Sequence, residues 1–285
     1  MRLISYRQNG EENVGVMVDE TGFVPVKSVA PDLPHTMLEL LQMGDGIAKA
    51  CAAAKGKPAE LQIGDVELLP VVPNPPAIWC VGVNYKEHQE ETGRGKQEQP
   101  MMFLRIAEAQ IAHKDPMILP KVSDTLDWEG ELAVIIGKRG RNIPESEAFD
   151  YIAGYSCYND GTIREWQRHT SQFGVGKNFQ STGGFGPWMV TPDEFGNPYD
   201  YELTTRVNGT EVQHTKISDM DHKIEKLINY ISTGVTLNPG DVISTGTPGG
   251  VGSRRDPVWY MKDGDVCTVE ITGIGILENP IVAEK

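Results

Sequence analysis

Over residues 1–30, apolar positions come in short runs broken by polar turns. Leu3-Ile4-Ser5-Tyr6, Val14-Gly15-Val16-Met17-Val18 and Phe23-Val24-Pro25-Val26 predict three short strands. Residues 36–54 change pattern: Met37, Leu38, Leu40 and Leu41 precede a run of alanines, which predicts helix. Further on, residues 77–83, 132–136, 242–243 and 266–271 read as buried strands. Asn208-Gly209 between two β-prone runs predicts a two-residue hairpin turn. Ile224, Leu227, Ile228 and Ile231 fall at i, i+3, i+4 and i+7, with Gly234 as a stop, so one helix is expected there. Many strands with few, separated helices predict an α+β, mostly β fold of the sandwich or barrel kind. Residues 70–76 hold four prolines, a stiff extended stretch suited to a linker. The expected organisation is a small N-terminal domain over 1–72 and a larger domain over 73–285.

Composition narrows the function classes. With 26 Lys and Arg against 40 Asp and Glu, the formal charge is −14. Such a chain repels nucleic-acid phosphates and anionic lipid, so neither is an expected partner. An anionic substrate then needs local cations, a metal or backbone N–H groups. No apolar run approaches the roughly 20 residues of a membrane helix, and the N-terminus turns polar too early for a secretory signal. Cys51, Cys80, Cys157 and Cys267 form no CxxC pair, which suits a reducing cytoplasm.

Candidate chemistry starts at Asp127-Trp128-Glu129-Gly130-Glu131, which runs into an apolar strand. Residues two apart on a strand share a face, so Glu129 and Glu131 point the same way. Two such carboxylates serve either a solvated edge or a cation held between them. Tyr155-Ser156-Cys157-Tyr158-Asn159-Asp160 reads as a strand ending in a third carboxylate. An oxygen-only set suits Mg²⁺ or Mn²⁺, with Ca²⁺ also accommodated, and leaves positions open for water and substrate. The other reading of Asp160 is an N-cap, because residues 161–167 look helical.

Three further segments add to this. Asn84-Tyr85-Lys86-Glu87-His88-Gln89-Glu90-Glu91 follows a strand; if it is helical, His88 and Glu91 are i, i+3 neighbours and can form an oriented imidazole–carboxylate pair. Residues 84–100 are polar and glycine-interrupted, as a lid would be. The glycine-rich loop at residues 246–252 either turns the chain or offers N–H groups to an anion, and it lacks the Walker pattern. Lys177 and Arg164 are either solvated or the local cations an anionic substrate requires.

In order and spacing these pieces resemble the fumarylacetoacetate hydrolase superfamily, over about residues 77–285. The segments carrying the resemblance are GVNYKEH (from Gly82), DWEGELAVIIGK (from Asp127), YNDGTIREWQ (from Tyr158), GKNF (from Gly176) and GDVISTGTPGGVG (from Gly240). The resemblance implies a mixed β-sandwich roll and a homodimer. It implies that Glu129, Glu131 and Asp160 hold Mg²⁺ or Mn²⁺, and that His88 and Glu91 activate water from the lid. It further implies that Lys177 steadies developing charge, and that Arg164, Gln167 and Thr247 hold the substrate's carboxylate and oxo groups. Departures at Gln180, Gly184, Gly161, Glu165 and Arg105-Ile106 bear on the pocket and leave the triad and the pair intact.

The implied activity is metal-dependent hydrolysis of an acylpyruvate such as fumarylpyruvate, maleylpyruvate or a diketo-deoxy sugar acid, giving pyruvate and a carboxylic acid in aromatic-ring catabolism. The alternative is a decarboxylase or isomerase of a hydroxymuconate-type diacid. A structural Ca²⁺ site would call for more protein oxygens than three carboxylates supply.

Overall fold

A computed structural model describes every residue of the chain except Arg94 and Lys96, two positions within the segment expected to form a lid. The expected strands form. Their main sheet runs from Leu61–Gln62 through Gly22–Pro25, Glu11–Met17, Arg2–Gln8, Gly183–Val190, Ile152–Asp160, Gly130–Ile136, Val242–Ser244 and Ile78–Gly82 to Met101–Arg105. The first three strands of the chain therefore join the same sheet as the candidate site: Arg2 pairs with Val190 and Leu3 with Met189. A second sheet orders Thr210–Lys216, Glu202–Val207, Val266–Ile271, Gly275–Ala283 and Met117–Leu119. The fold is mostly β with separated helices.

Period-two alternation explains how one strand serves two cores. Leu132, Val134 and Ile136 face one cluster, with Leu203, Val269, Ile271 and Leu277 of the second sheet. Ala133 and Ile135 face the other, with Leu3, Val14, Val16 and Phe185. All seven residues of Gly130–Ile136 are buried, which makes this strand a rigid central support. Helix Ile224–Gly234 lays Ile224, Leu227, Ile228 and Ile231 onto the first core, as its spacing predicts. The Asn208-Gly209 turn forms, with φ of 52° and 78°.

Two elements differ from expectation. The helix expected over 36–54 is two helices, Met37–Gln42 and Gly46–Ala54. Gly44 between them adopts φ +80°, a left-handed turn that lets both pack on the N-terminal strands. The stretch 161–167 is helical only over Arg164–Gln167, because Thr162–Ile163 form a short strand against Leu126–Asp127. That pairing excludes the N-cap reading of Asp160 and brings Asp127 beside Arg164.

Candidate active site

Strands Gly130–Ile136 and Ile152–Asp160 run antiparallel, with Gly130 opposite Asn159 and Glu131 opposite Tyr158. Asp160 N–H donates to the Glu129 carbonyl at 2.9 Å, and Glu129 N–H donates to Asn159 Oδ1 at 3.0 Å. Backbone pairing thus fixes where the carboxylates leave the sheet. Gly130 between the two glutamates is required: a Cβ there would lie 2.1 Å from Thr205 Oγ1 of the opposing sheet. Ligand oxygens of Glu129, Glu131 and Asp160 come within 4.8 Å of one another, and all three residues are buried.

Cations surround them. Lys177 Nζ donates to Glu129 Oε2 and to Asp160 Oδ2, each at 2.5 Å. Arg164 Nη2 lies 2.6 Å from Glu129 Oε1, and its Nε donates to Asp127 Oδ2 at 2.7 Å. Arg105 Nη1 donates to Asp160 Oδ1 at 2.5 Å and to the Gly161 carbonyl at 2.9 Å. Glu131 instead accepts from Ser244 Oγ at 2.5 Å and Gly246 N–H at 2.8 Å. Gly246 sits at φ +100°, and a Cβ would fall 2.7 Å from Asn84 Cβ, so glycine alone lets its N–H reach this carboxylate.

The electrostatics follow from this count. Asp127, Glu129, Glu131 and Asp160 face Arg105, Arg164 and Lys177, which leaves one negative charge uncompensated. Burial pushes the Glu129 carboxyl up, but Arg164 and Lys177 outweigh it and hold the group well below the usual carboxylate range. Glu131 goes the other way: burial, then the charges of Asp160 and Glu129, push it well above that range. Burial pulls the Lys177 ammonium down, yet Asp160 and Glu129 raise it overall. Three converging oxygen ligands, one of which, Glu131, has no cationic side chain bonded to it, fit a divalent cation, which would supply the missing positive charge.

The His88–Glu91 pair forms as its spacing implies. Helix Lys86–Thr92 carries both residues, and His88 Nδ1 lies 2.6 Å from Glu91 Oε1. Gly250 N–H donates to Glu91 Oε2 at 2.9 Å. The helix is tied down at its base. Asn84 Nδ2 donates to the carbonyls of His222 at 3.0 Å and Thr245 at 2.7 Å, and its Oδ1 accepts from His222 N–H at 2.8 Å. Gln89 Nε2 donates to Asp221 Oδ2. Val83, just before this helix, has φ +59°.

A cavity of about 360 Å³ joins the two regions, and His88, Glu129, Arg164, Gln167, Lys177 and Thr247 all line it. Gln167 Oε1 accepts from Arg164 Nη1 at 3.0 Å. Thr247 Oγ1 donates to the Gly130 carbonyl at 3.0 Å and accepts from Gln213 Nε2 at 2.8 Å. The glycine-rich loop does hold anions, but they are the protein's own: Glu131, Glu91 and, through Gly252 and Ser253, Asp127. Sequence reading left Arg105, Asp127, Asn84 and Ser244 without a role. Only Asp127, heading the DWEGE run, carries a local signal.

The family profile "Fumarylacetoacetate (FAA) hydrolase C-terminal" matches residues 77–282. The chain is 36% identical over 288 residues to oxaloacetate tautomerase fahd2, mitochondrial, of Xenopus laevis, covering 99% of this chain and 90% of that one. A putative HpcE protein from Mycobacterium smegmatis superposes with a TM-score of 0.91 at 33% identity, covering all of both chains. Maleylpyruvate hydrolase from Sphingobium sp. SYK-6, solved with manganese(II) and pyruvate, superposes at 0.83 with 27% identity, again over all of both chains. On the strength of that match and of a relative spanning nearly the whole chain, the protein belongs to the fumarylacetoacetate hydrolase family.

Proposed function

We propose that this enzyme moves a proton at the carbon next to the carbonyl of a short 2-oxo acid, interconverting its keto and enol forms as for oxaloacetate. The observation that carries the reading is that His88, braced by Glu91, lines one small cavity together with Glu129 of the carboxylate cluster and the cations Arg164 and Lys177. A volume of about 360 Å³ lies at the low end for ligand pockets, about 300–1,000 Å³, and favours a short acid. Similarity to the Xenopus laevis oxaloacetate tautomerase supports the same chemistry.

A divalent ion on Glu129, Glu131 and Asp160 would supply Lewis-acid polarisation of the 2-oxo group. Arg164 and Gln167 hold the adjacent carboxylate. His88 Nε2 removes the proton from the neighbouring carbon, and Glu91 stabilises the ring as it gains charge. The C–H pair becomes the C=C bond, and the carbonyl oxygen takes a proton from solvent. Lys177 places positive charge beside that oxygen. The reverse sequence returns the proton from His88 to carbon.

The test mixes enol-form oxaloacetate with protein and Mg²⁺ or Mn²⁺ and follows the loss of the enol chromophore. Acceleration over ion alone, lost in His88→Ala and in chelator, is expected. Hydrolysis of an acylpyruvate is the second reading, because a carboxylate-braced imidazole also suits activation of water. No acceleration with oxaloacetate, together with pyruvate release from fumarylpyruvate or maleylpyruvate, would establish that reading instead.

A further inference from the structure

The cavity is lined by four cationic side chains, Arg164, Arg168, Lys177 and Arg254, against one carboxylate, Glu129. Arg164 and Lys177 are engaged by Glu129, Asp127 and Asp160. Arg168 and Arg254 are exposed at the mouth, and among the described residues neither guanidinium has a hydrogen-bond or ion-pair partner. Elsewhere on this chain of charge −14, surface arginines such as Arg2, Arg7 and Arg206 sit on carboxylates. Arg168 and Arg254 thus bring two guanidinium groups without a carboxylate partner to the lining of one cleft, where they act on whatever enters it.

The segments bearing them are tied together. Asp127 Oδ2 accepts from Arg164 Nε at 2.7 Å and from Ser253 N–H at 2.9 Å, while Oδ1 accepts from Gly252 N–H at 2.7 Å. One buried carboxylate thus positions the short helix Arg164–Gln167, which Arg168 ends, and the turn Gly252–Arg254. Guanidinium groups at the rim of a low-dielectric cleft focus positive potential there and can grip a carboxylate with two parallel N–H···O bonds.

We propose that Arg168 and Arg254 bind a second carboxylate, so that the site selects 2-oxo dicarboxylates over 2-oxo monocarboxylates of equal length. This rests on the 2-oxo acid reading above. Arg164 and Gln167 hold the carboxylate next to the oxo group, and the rim pair takes the remote one.

The test compares oxaloacetate with 2-oxobutyrate, which has a methyl group in place of the second carboxylate. Affinities for the Mn²⁺-loaded full chain are measured by calorimetry, for wild type, Arg168→Gln, Arg254→Gln and the double variant. Wild type is expected to favour oxaloacetate, each substitution to reduce that preference about tenfold, and the double variant to lose it. Affinity for 2-oxobutyrate and the melting temperature should hold, and added salt should erode the wild-type preference. A wild-type preference that survives in the double variant overturns the proposal, as does equal wild-type binding of both acids. Binding of neither acid overturns the 2-oxo acid reading along with it.

Discussion

The carboxylate cluster is buried, whereas helix Lys86–Thr92 buries only His88 and Gln89 and exposes Lys86, Glu87 and Glu90, and the two are held in different ways. Glu129, Glu131 and Asp160 emerge from strands paired on both sides, and each carboxylate meets donors from distant parts of the chain. Helix Lys86–Thr92 is a single two-turn element fixed mainly at its base by Asn84 and Gln89 and near its end by Gly250 N–H on Glu91. Charge is thus assembled on the rigid part, and the His88–Glu91 pair sits on the part with few anchors. Removing a member of the cluster should damage the fold, and removing His88 should damage activity alone.

The largest effect should come from Asp160→Ala. It leaves Arg105 buried without a carboxylate and Lys177 with Glu129 alone, and breaking a buried pair costs about 3–5 kcal/mol. The denaturation midpoint should fall accordingly, and calorimetry should detect no Mn²⁺ binding. Wild-type stability with retained Mn²⁺ binding would remove the distinction between the two regions. His88→Ala is the counterpart. Turnover should drop about 10²–10⁴-fold while stability and Mn²⁺ affinity stay near wild type. Loss of Mn²⁺ binding in that variant would place His88 among the ligands and merge the regions.

A pH effect belonging to neither region must be separated from these. Burial, aided by Lys114, pushes His113 down to about 4 from 6.5, and its Nδ1 accepts from Glu278 N–H at 3.1 Å. The unfolded chain binds this proton where the folded one does not. Stability is therefore full above pH 6.5 and declines as pH falls towards about 4, by up to about 3 kcal/mol. His113→Gln should flatten that acid limb in denaturation curves taken across the range. The smallest expected effect sharpens the lid side. Asn84→Ala leaves backbone groups of His222 and Thr245 without their partner, at about 1–3 kcal/mol. Hydrogen exchange should speed up across residues 86–92 and stay slow across 130–136; uniform acceleration would mean the two regions open as one.

What the sequence reveals of this arrangement is its local part. Strand periodicity places Glu129 and Glu131 on one face, and helix periodicity pairs His88 with Glu91, because both are rules about residues two to four apart. The cation partners lie beyond such rules. Arg105 reaches Asp160 across 55 residues, and Asp127 reaches Gly252 across 125. Arg105 reads in sequence only as a departure within an apolar run, since nothing nearby signals a buried guanidinium. The break at Gly44 and the strand Thr162–Ile163 likewise follow from tertiary partners: the N-terminal strands in one case, Leu126–Asp127 in the other.

Val83 gives the lid an energetic character of its own. A β-branched residue at φ +59° is in a conformation it seldom adopts, and such strain is worth about 1–3 kcal/mol. The four hydrogen bonds of Asn84, three from its side chain and one from Asp221 N–H to its carbonyl, hold the junction there. Any movement of the helix that let Val83 return to an ordinary φ would recover that energy and offset part of the cost of breaking those bonds. The helix carrying His88 would then release more readily than its hydrogen bonds alone indicate, and a ligand that contacts it would need only a modest preference for one arrangement to decide which is populated.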